Sequence, residues 1–381
     1  MRILIDYTQI PVERLGVGNY AYNLILELLN IDKVNKYFVI IQDDENSFNN
    51  IANSNFHLIK VNHLLFRRLL FRFFLEQLYI PFLIFMSKID IVHSLHYSFP
   101  LFKFKAKRVV NIYDLTFYLF PYVHQVFKRY YFRFFIKLAA LLNNRIICIS
   151  NSTLDDLINI TGANSKECSV VYLGKSGIYK PSRNIKKIKE IKRKYNINGN
   201  YLLFIGTIEP RKNIESLIMA FNKVFKNKDP EISLVIAGKK GWYYNEIFEL
   251  VKKLNIKDKV IFTGYVLEEE KPLLINGCKI FIYPSIYEGF GLPVLEAMAC
   301  GAPVITSNIS SMPEVAGNGA LLLNNPKDVN EIASSIESLL TNKKELAKYR
   351  ALGLKQSAKF NWKYTALKTL EIYKTVNSQE Q

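Results

Sequence analysis

Cysteine, histidine and acidic residues are all scarce in this chain. Of 381 residues, four are cysteine and five histidine, and 33 acids face 51 lysines and arginines. Cys148, Cys168, Cys278 and Cys300 stand far apart, none at a metal-ligand spacing from another. That excludes a structural zinc site and a disulfide framework, and reads as reduced thiols in a cytosolic protein. Long apolar runs are missing too. A membrane-spanning helix needs about 20 apolar residues in a row, and the nearest candidate, 78–86, is short and carries Pro81. The opening Met-Arg-Ile-Leu-Ile-Asp reads as a buried strand, with no apolar h-region and no cleavage site, so no signal peptide is expected. The adjacent acids Asp43-Asp44 and Asp155-Asp156 do not make a D-x-D metal site; they read as a loop and a first helical turn. No metal and no other cofactor is expected.

Globular material is present in quantity. Hydrophobic residues make up 49% and charged residues 22%, enough to fill two cores in a chain too long for one. Short β-rich runs at 2–6, 37–41, 56–59, 90–93, 108–112, 145–149 and 169–172 alternate with helical patterns at 19–30, 64–86, 123–142 and 152–160. A second series follows: strands at 201–206, 233–238, 260–264, 279–284, 303–307 and 320–323, with helices at 214–225, 246–254, 293–300 and 329–340. Alternation of this kind predicts an α/β fold with two doubly wound parallel sheets. The predicted division is 1–175, a basic linker 176–200, 201–358, and a last helix in 359–381 crossing back to the first domain. Open sheets of this class bind ligands beyond the carboxyl ends of their strands, so the cleft between the two domains is the expected site.

The most informative stretch runs Tyr283-Pro-Ser-Ile-Tyr-Glu288-Gly-Phe-Gly-Leu-Pro293-Val-Leu-Glu296-Ala-Met-Ala-Cys-Gly301. It reads as strand, glycine-bearing loop and helix. Gly289 and Gly291 let the backbone approach a ligand, Pro293 suits the first helical position and Gly301 the stop after the helix. A helix start of this kind offers unpaired N–H groups to a diphosphate. Glu288 in the loop and Glu296 in the first turn can face one pocket. Each carboxylate can accept from neighbouring hydroxyls of a sugar or ribose, at roughly 1.5–3 kcal/mol per charge-assisted bond. A lone Glu296 would read as a surface residue; the glycines and the second glutamate favour a site.

The spacing of Glu288 and Glu296 is similar to the E-x7-E signature of the family 4 retaining glycosyltransferases. The resemblance extends to Gly206-Thr-Ile-Glu-Pro-Arg211-Lys212-Asn213, Leu234-Val-Ile-Ala-Gly238 and Ser310-Ser-Met-Pro-Glu314-Val-Ala-Gly317. In the first half it takes in Gly16-Val-Gly18-Asn-Tyr20, Asp114-Leu-Thr116, Phe120-Pro121 and Ile149-Ser150. It implies a GT-B fold of two Rossmann-like domains facing each other, the first for acceptor and the second for nucleotide-sugar. Glu288 would contact the donor sugar and Glu296 the ribose. Gly206, Gly289, Phe290, Gly291 and Leu292 would line the sugar and diphosphate, while Arg211 and Lys212 would meet the leaving-group charge without a metal. Gly16 and Gly18 would form a loop after strand one that closes on the donor phosphate. The family wording points most often to mannose transfer from GDP-mannose, in bacterial surface polysaccharide synthesis.

Two positions depart from the pattern. Tyr113 stands before Asp114 where many members carry histidine, and Thr207 follows Gly206 where many carry arginine. Tyrosine can donate a hydrogen bond but is no neutral-pH base, so His93 and His96, with Tyr113 and Asp114, are the candidate contacts to acceptor or sugar. Two rival readings remain at this stage: a non-catalytic subunit partnering another transferase, and a nucleotide-sugar epimerase.

The net charge of +18 asks for an anionic partner. Between residues 103 and 145 nine Lys/Arg face the single acid Asp114, interleaved with aromatics. Two helical patterns, 63–74 and 127–142, mix arginine with large apolar residues, as helices lying in an anionic membrane interface do. The expectation is a peripheral enzyme on the inner face of the cytoplasmic membrane, with a lipid-linked saccharide acceptor. Nucleic acid is excluded: the aromatics sit at helical spacing and no binding module is present.

Overall fold

The computed structural model describes residues 1–11, 16–142, 145–225 and 232–378. The chain divides into two compact units, one made of residues 1–174 with the segment from Asn361 onward, the other of Lys175–Phe360.

The first unit is built on seven parallel strands: β1 (Arg2–Asp6), β2 (Lys36–Gln42), β3 (Phe56–Val61), β4 (Ile91–Ser94), β5 (Lys107–Ile112), β6 (Arg145–Cys148) and β7 (Cys168–Val170). Their order is β3-β2-β1-β4-β5-β6-β7, so the winding direction reverses between β1 and β4. β1, β2, β4 and β5 are almost wholly buried and rich in Ile, Val and Leu, as strands covered on both faces must be. Local signals set the helix Asn151–Thr161: Ser150 accepts from the Thr153 amide at its start and Gly162 takes the left-handed conformation at its end. Asp155 and Asp156 therefore sit beyond its first turn. The four cysteines are free thiols, three of them buried.

Two expectations for this unit need correction. Gly16 and Gly18 are not a loop: the helix Gly16–Ile31 starts at Gly16, and both glycines lie in its first turn. The predicted helix 64–86 is broken. His63–Phe66 ends where Arg68 turns to extended backbone; Leu69–Phe74 then runs into a widened π-helical turn, Leu75–Tyr79, and on into Ile80–Met86. Pro81 falls at the start of that last piece. It has no N–H to donate, and its ring crowds the carbonyl one turn back, so a regular α-helical ladder cannot pass through it.

The second unit carries six parallel strands, β8 (Asn200–Ile205), β9 (Ile232–Ala237), β10 (Val260–Gly264), β11 (Ile280–Tyr283), β12 (Val304–Ser307) and β13 (Leu321–Leu323), in the order β10-β9-β8-β11-β12-β13. Here the reversal falls between β8 and β11. The stretch 176–200 is not a linker. Tyr179, Ile191 and Ile197 are buried in this unit, and Ser182 and Lys180 hydrogen-bond Asn276 at 2.7 and 3.1 Å. Its basic helix Ile185–Lys194 turns one apolar stripe inward, with Ile188 close to Gly277 and Tyr201. After the helices Val329–Thr341 and Lys343–Ser357, the chain leaves this unit.

The last helix, Trp362–Ser378, belongs to the first unit. Tyr373 donates toward the His93 ring (2.6 Å), Thr365 donates to the Tyr172 carbonyl (2.8 Å), and Trp362 packs against Tyr20.

Candidate functional site

At the reversal point of the second sheet, two loops meet. The β8 loop brings Glu209, Arg211 and Lys212; the β11 loop brings Ser285 through Gly291. They are stitched by the Arg211 carbonyl, which accepts from the Ile286 amide at 2.9 Å and the Ser285 hydroxyl at 3.1 Å. Glu288 lies at the centre, 8% exposed. Its Oε1 accepts from Ser285 (2.7 Å), Tyr283 (2.9 Å) and the Lys212 ammonium; its Oε2 pairs with Arg211 at 3.0 Å. Lys212 also donates to the Tyr283 hydroxyl at 2.7 Å, and Arg211 to Glu209 at 2.7 Å. Burial alone would raise the Glu288 carboxyl. The Arg211 and Lys212 charges, with hydrogen bonds from Lys212 and Ser285, outweigh it and hold the pKa at about 2. Burial pulls the Lys212 ammonium below its usual range, with Glu288 opposing and Arg211 adding to the fall.

The loop backbone is fixed from behind. Ser310 and Ser311 both donate to the Glu288 carbonyl, at 2.6 and 2.9 Å, and Ser311 also to that of Phe290 at 2.8 Å. Phe290 is buried edge-on against Phe360. Gly291 has φ +104°, and a Cβ there would sit 2.1 Å from the Met312 methyl. The helix Leu292–Ala299 begins on that glycine with no side-chain cap, so its leading end keeps its positive dipole for a ligand. Because the helix starts at Leu292, Glu296 falls in the second turn and not in the first. It is 8% exposed, beside Lys271, Glu268 and Tyr179. Tyr179 and Lys271 both donate to Glu268, at 2.6 Å each. Burial pushes the Glu296 carboxyl up to about 8; Lys271 opposes the rise and Glu268 adds to it. Gly206 closes the end of β8, against Phe204 and Tyr283.

Sequence reading passed over Tyr283 and Ser285 as partners of Glu288, and Glu209 as a partner of Arg211, although all three stand inside the quoted motifs. Tyr179, Glu268 and Lys271 around Glu296 carried no signal; Tyr179 lies in the stretch read as a linker.

The candidates of the first unit are dispersed. His93 is fully buried and both ring nitrogens are engaged, by Tyr373 and Asn111, each at 2.6 Å; burial lowers its pKa to about 4. It ties β4, β5 and the last helix together and offers nothing to a ligand. Tyr113 is also buried, donating to the Leu95 carbonyl at 2.9 Å. Asp114 accepts from Tyr97 (3.1 Å) and from the Thr116 amide and hydroxyl (3.0 and 2.6 Å), which fixes the turn after β5. His96 lies elsewhere, past the end of β4. Among the described residues Asp43, Asp44 and His63 come close enough to hold an ion. There His63 is 2.6 Å from Asp43 and Arg67 2.5 Å from Asp44.

The two doubly wound parallel sheets are those of the GT-B fold, with a buried carboxylate–cation cluster at the reversal point of the second. The description "Glycosyltransferase Family 4" matches residues 15–174, and "Glycosyl transferases group 1" matches 187–356. O-antigen chain mannosyltransferase B of Escherichia coli is 30% identical over 269 residues, 70% of each chain. The serotype-specific mannosyltransferase WbdA of Escherichia coli is 36% identical over 219 residues, 57% of this chain and 26% of that much longer one. The solved structure of HepE of Anabaena, in complex with UDP and glucose, superposes with a TM-score of 0.75 at 17% identity, over 98% of this chain and 100% of that one. The chain belongs to the family 4, group 1 glycosyltransferases and is an enzyme of that class.

Proposed function

We propose that this enzyme moves a mannosyl group from a nucleoside-diphosphate mannose, GDP-mannose first among the candidates, to a saccharide acceptor of a bacterial surface polysaccharide, with retention at C1. The observation that carries the reading is the ionised Glu288 held by Arg211 and Lys212 at the reversal point of the second sheet. Likeness to two mannosyltransferases supports the choice of sugar. In the reaction the bond between C1 and the phosphate oxygen breaks and a bond from C1 to an acceptor oxygen forms. The acceptor proton leaves with the nucleoside diphosphate. Arg211 and Lys212, with the uncapped helix end, stabilise the charge that grows on that leaving group, and no metal is required of the site. Glu288 orients sugar hydroxyls, and Glu296 those of the ribose.

A thermal-shift panel of GDP, UDP, dTDP and their sugars tests the donor. A ligand selective for the folded state adds about 2.7 kcal/mol at a hundredfold excess over its Kd. A shift with UDP or dTDP compounds but none with GDP compounds overturns the mannose assignment.

The acceptor is proposed to be lipid-linked, reached at an anionic membrane surface. No helix among the described residues is long and apolar enough to cross a membrane. The first unit nevertheless leaves Leu64, Leu78, Phe82, Phe85 and Met86 more than half exposed, and likewise Phe127, Tyr130 and Phe134 on the helix Val126–Leu141. Exposed Arg67, Arg68, Lys128 and Lys137 stand among them. Apolar side chains with interleaved cations suit an interface rather than bulk water. Flotation with phosphatidylglycerol vesicles at low salt should carry the protein upward, and Phe82→Ser with Phe127→Ser should leave it behind. A wild-type protein that stays at the bottom refutes the membrane assignment.

A further inference from the structure

The cluster around Glu288 is electrically balanced before any ligand arrives. Two carboxylates, Glu209 and Glu288, face two cations, Arg211 and Lys212. Glu209, Lys212 and Glu288 are buried, and the Arg211 side chain is 16% exposed. Charges so placed are only weakly screened by water and salt, so each of the four is felt by whatever binds there. The proposed reaction uses three of them: Glu288 orients the sugar, and Arg211 and Lys212 meet the diphosphate. Glu209 has no part in it, yet an anion beside these cations opposes the binding of a diphosphate.

The two carboxylates are not held alike. Glu288 accepts from the Ser285 and Tyr283 hydroxyls as well as from the cations. Among the described residues the Glu209 carboxylate accepts from Arg211 and from no hydroxyl. Arg211 in turn is gripped from both loops. Its Nη2 donates to Glu209 at 2.7 Å, while Nη1 donates to the Tyr287 carbonyl at 2.5 Å and pairs with Glu288 at 3.0 Å. A planar guanidinium held at three points has one orientation. The β8 loop that carries Glu209 is itself fixed. Ahead of Glu209, the Ile208 amide donates to the Lys239 carbonyl at 2.9 Å, and the Ile208 carbonyl accepts from the Gly241 amide at 3.0 Å. Behind it, Asn213 takes the left-handed conformation at φ +55° and donates to the carbonyls of Pro284 and Pro326. The backbone on both sides of Glu209 is thus pinned, which leaves its carboxylate against Arg211.

We propose that Glu209 is a positioning residue for the reaction: it fixes the Arg211 guanidinium toward the leaving phosphate and, through its charge, keeps the cluster's hold on the nucleoside diphosphate weak enough for release. This rests on the reading of the cluster as the seat of a nucleotide-sugar. Cations that stabilise charge in the transition state speed the reaction, but the same cations slow it when they retain the product. With both carboxylates present the cluster is neutral. Without Glu209 it carries a net positive charge and becomes a stronger trap for the product anion. Glu209 acts through Arg211 and takes no covalent part.

The test is calorimetric titration of the full chain with inorganic pyrophosphate and with GDP, UDP and dTDP, beside a stopped-flow chase of the nucleotide that binds. Glu209→Gln keeps the size of the side chain and an acceptor for Arg211, and removes the charge. It should bind pyrophosphate and the nucleoside diphosphate roughly tenfold more tightly and release them correspondingly more slowly. Glu209→Ala removes the acceptor as well; it should tighten binding likewise and lose more turnover of the nucleotide-sugar than Glu209→Gln does. Glu209→Asp keeps the charge and should bind the diphosphate as the wild type does. A residue with a merely structural role would weaken binding when replaced. Unchanged or weaker diphosphate binding in both Glu209→Gln and Glu209→Ala overturns the proposal, and so does an aspartate variant that binds as tightly as the glutamine one. A wild-type protein that binds none of the three nucleotides overturns the nucleotide-sugar reading and this inference with it.

Discussion

Replacing Glu288 by glutamine keeps the shape of the side chain and removes its charge. Arg211 and Lys212 are then left facing a neutral amide in a site that is almost closed to water. The carboxyl moves from its ordinary 4.5 to about 2 on folding. At about 1.4 kcal/mol per pH unit, the ionised form contributes roughly 3 kcal/mol to the stability of the second unit. That agrees with the cost of about 3–5 kcal/mol for removing one partner of a buried pair. The sign follows from the depressed pKa: the contribution is complete above pH 4.5 and is lost as pH falls toward 2. A unit of this size loses about 2–4 °C per kcal/mol, so at pH 7 the calorimetric transition of the second unit should fall by roughly 6–12 °C. The transition of the first unit should stay in place, and the gap between variant and wild type should close as pH drops below 4.5. Coincident transitions at pH 7, or a gap that persists at low pH, would show that the Glu288 cluster is not the charge-balanced network described here. Transfer from the nucleotide-sugar donor should disappear in the same variant.

Glu296→Gln should weaken nucleotide affinity by up to about tenfold, the worth of a hydrogen bond from a carboxyl that is largely neutral near pH 7. With its pKa raised to about 8, the wild-type site holds a proton near neutral pH. That part of stability is complete below pH 4.5 and lost as pH rises through 8, a dependence the glutamine variant should lack. If the bound ribose needs the carboxylate, titration calorimetry in two buffers of different ionisation enthalpy should register proton release. Gly291→Ala forces a side chain to a left-handed φ and into Met312; it should cost about 1–2 kcal/mol in backbone strain alone and reduce turnover, as denaturant titration and a transfer assay would show. Chelation by EDTA should leave transfer unchanged, and activity restored only by added Mg²⁺ or Mn²⁺ would refute the role given to Arg211 and Lys212.

The sequence by itself determined the two series of strands and helices, because alternating β-rich and helical periods are local properties of the chain. The β-rich run at 2–6 is the strand Arg2–Asp6 and the run at 279–284 contains the strand Ile280–Tyr283, and Ser150, Gly162 and Gly291 mark helix ends in the structure. The loop-then-helix around Glu288 was legible for the same reason. Where local signals conflict, the sequence was less decisive: helical periodicity from 64 to 86 concealed the break at Arg68 and the widened turn before Pro81. Only the tertiary structure decided what each polar side chain faces. His93 and His96 stand three residues apart and look alike in sequence, yet one is consumed by Tyr373, 280 residues away, and the other keeps a buried nitrogen with no hydrogen-bond partner among the described residues. Glu76 carried no motif at all. Its burial, and its meeting with Gln9, Ser98 and Tyr131, follow from the order of the strands. Strand order is fixed by long-range packing of the whole sheet, and no window of sequence contains it.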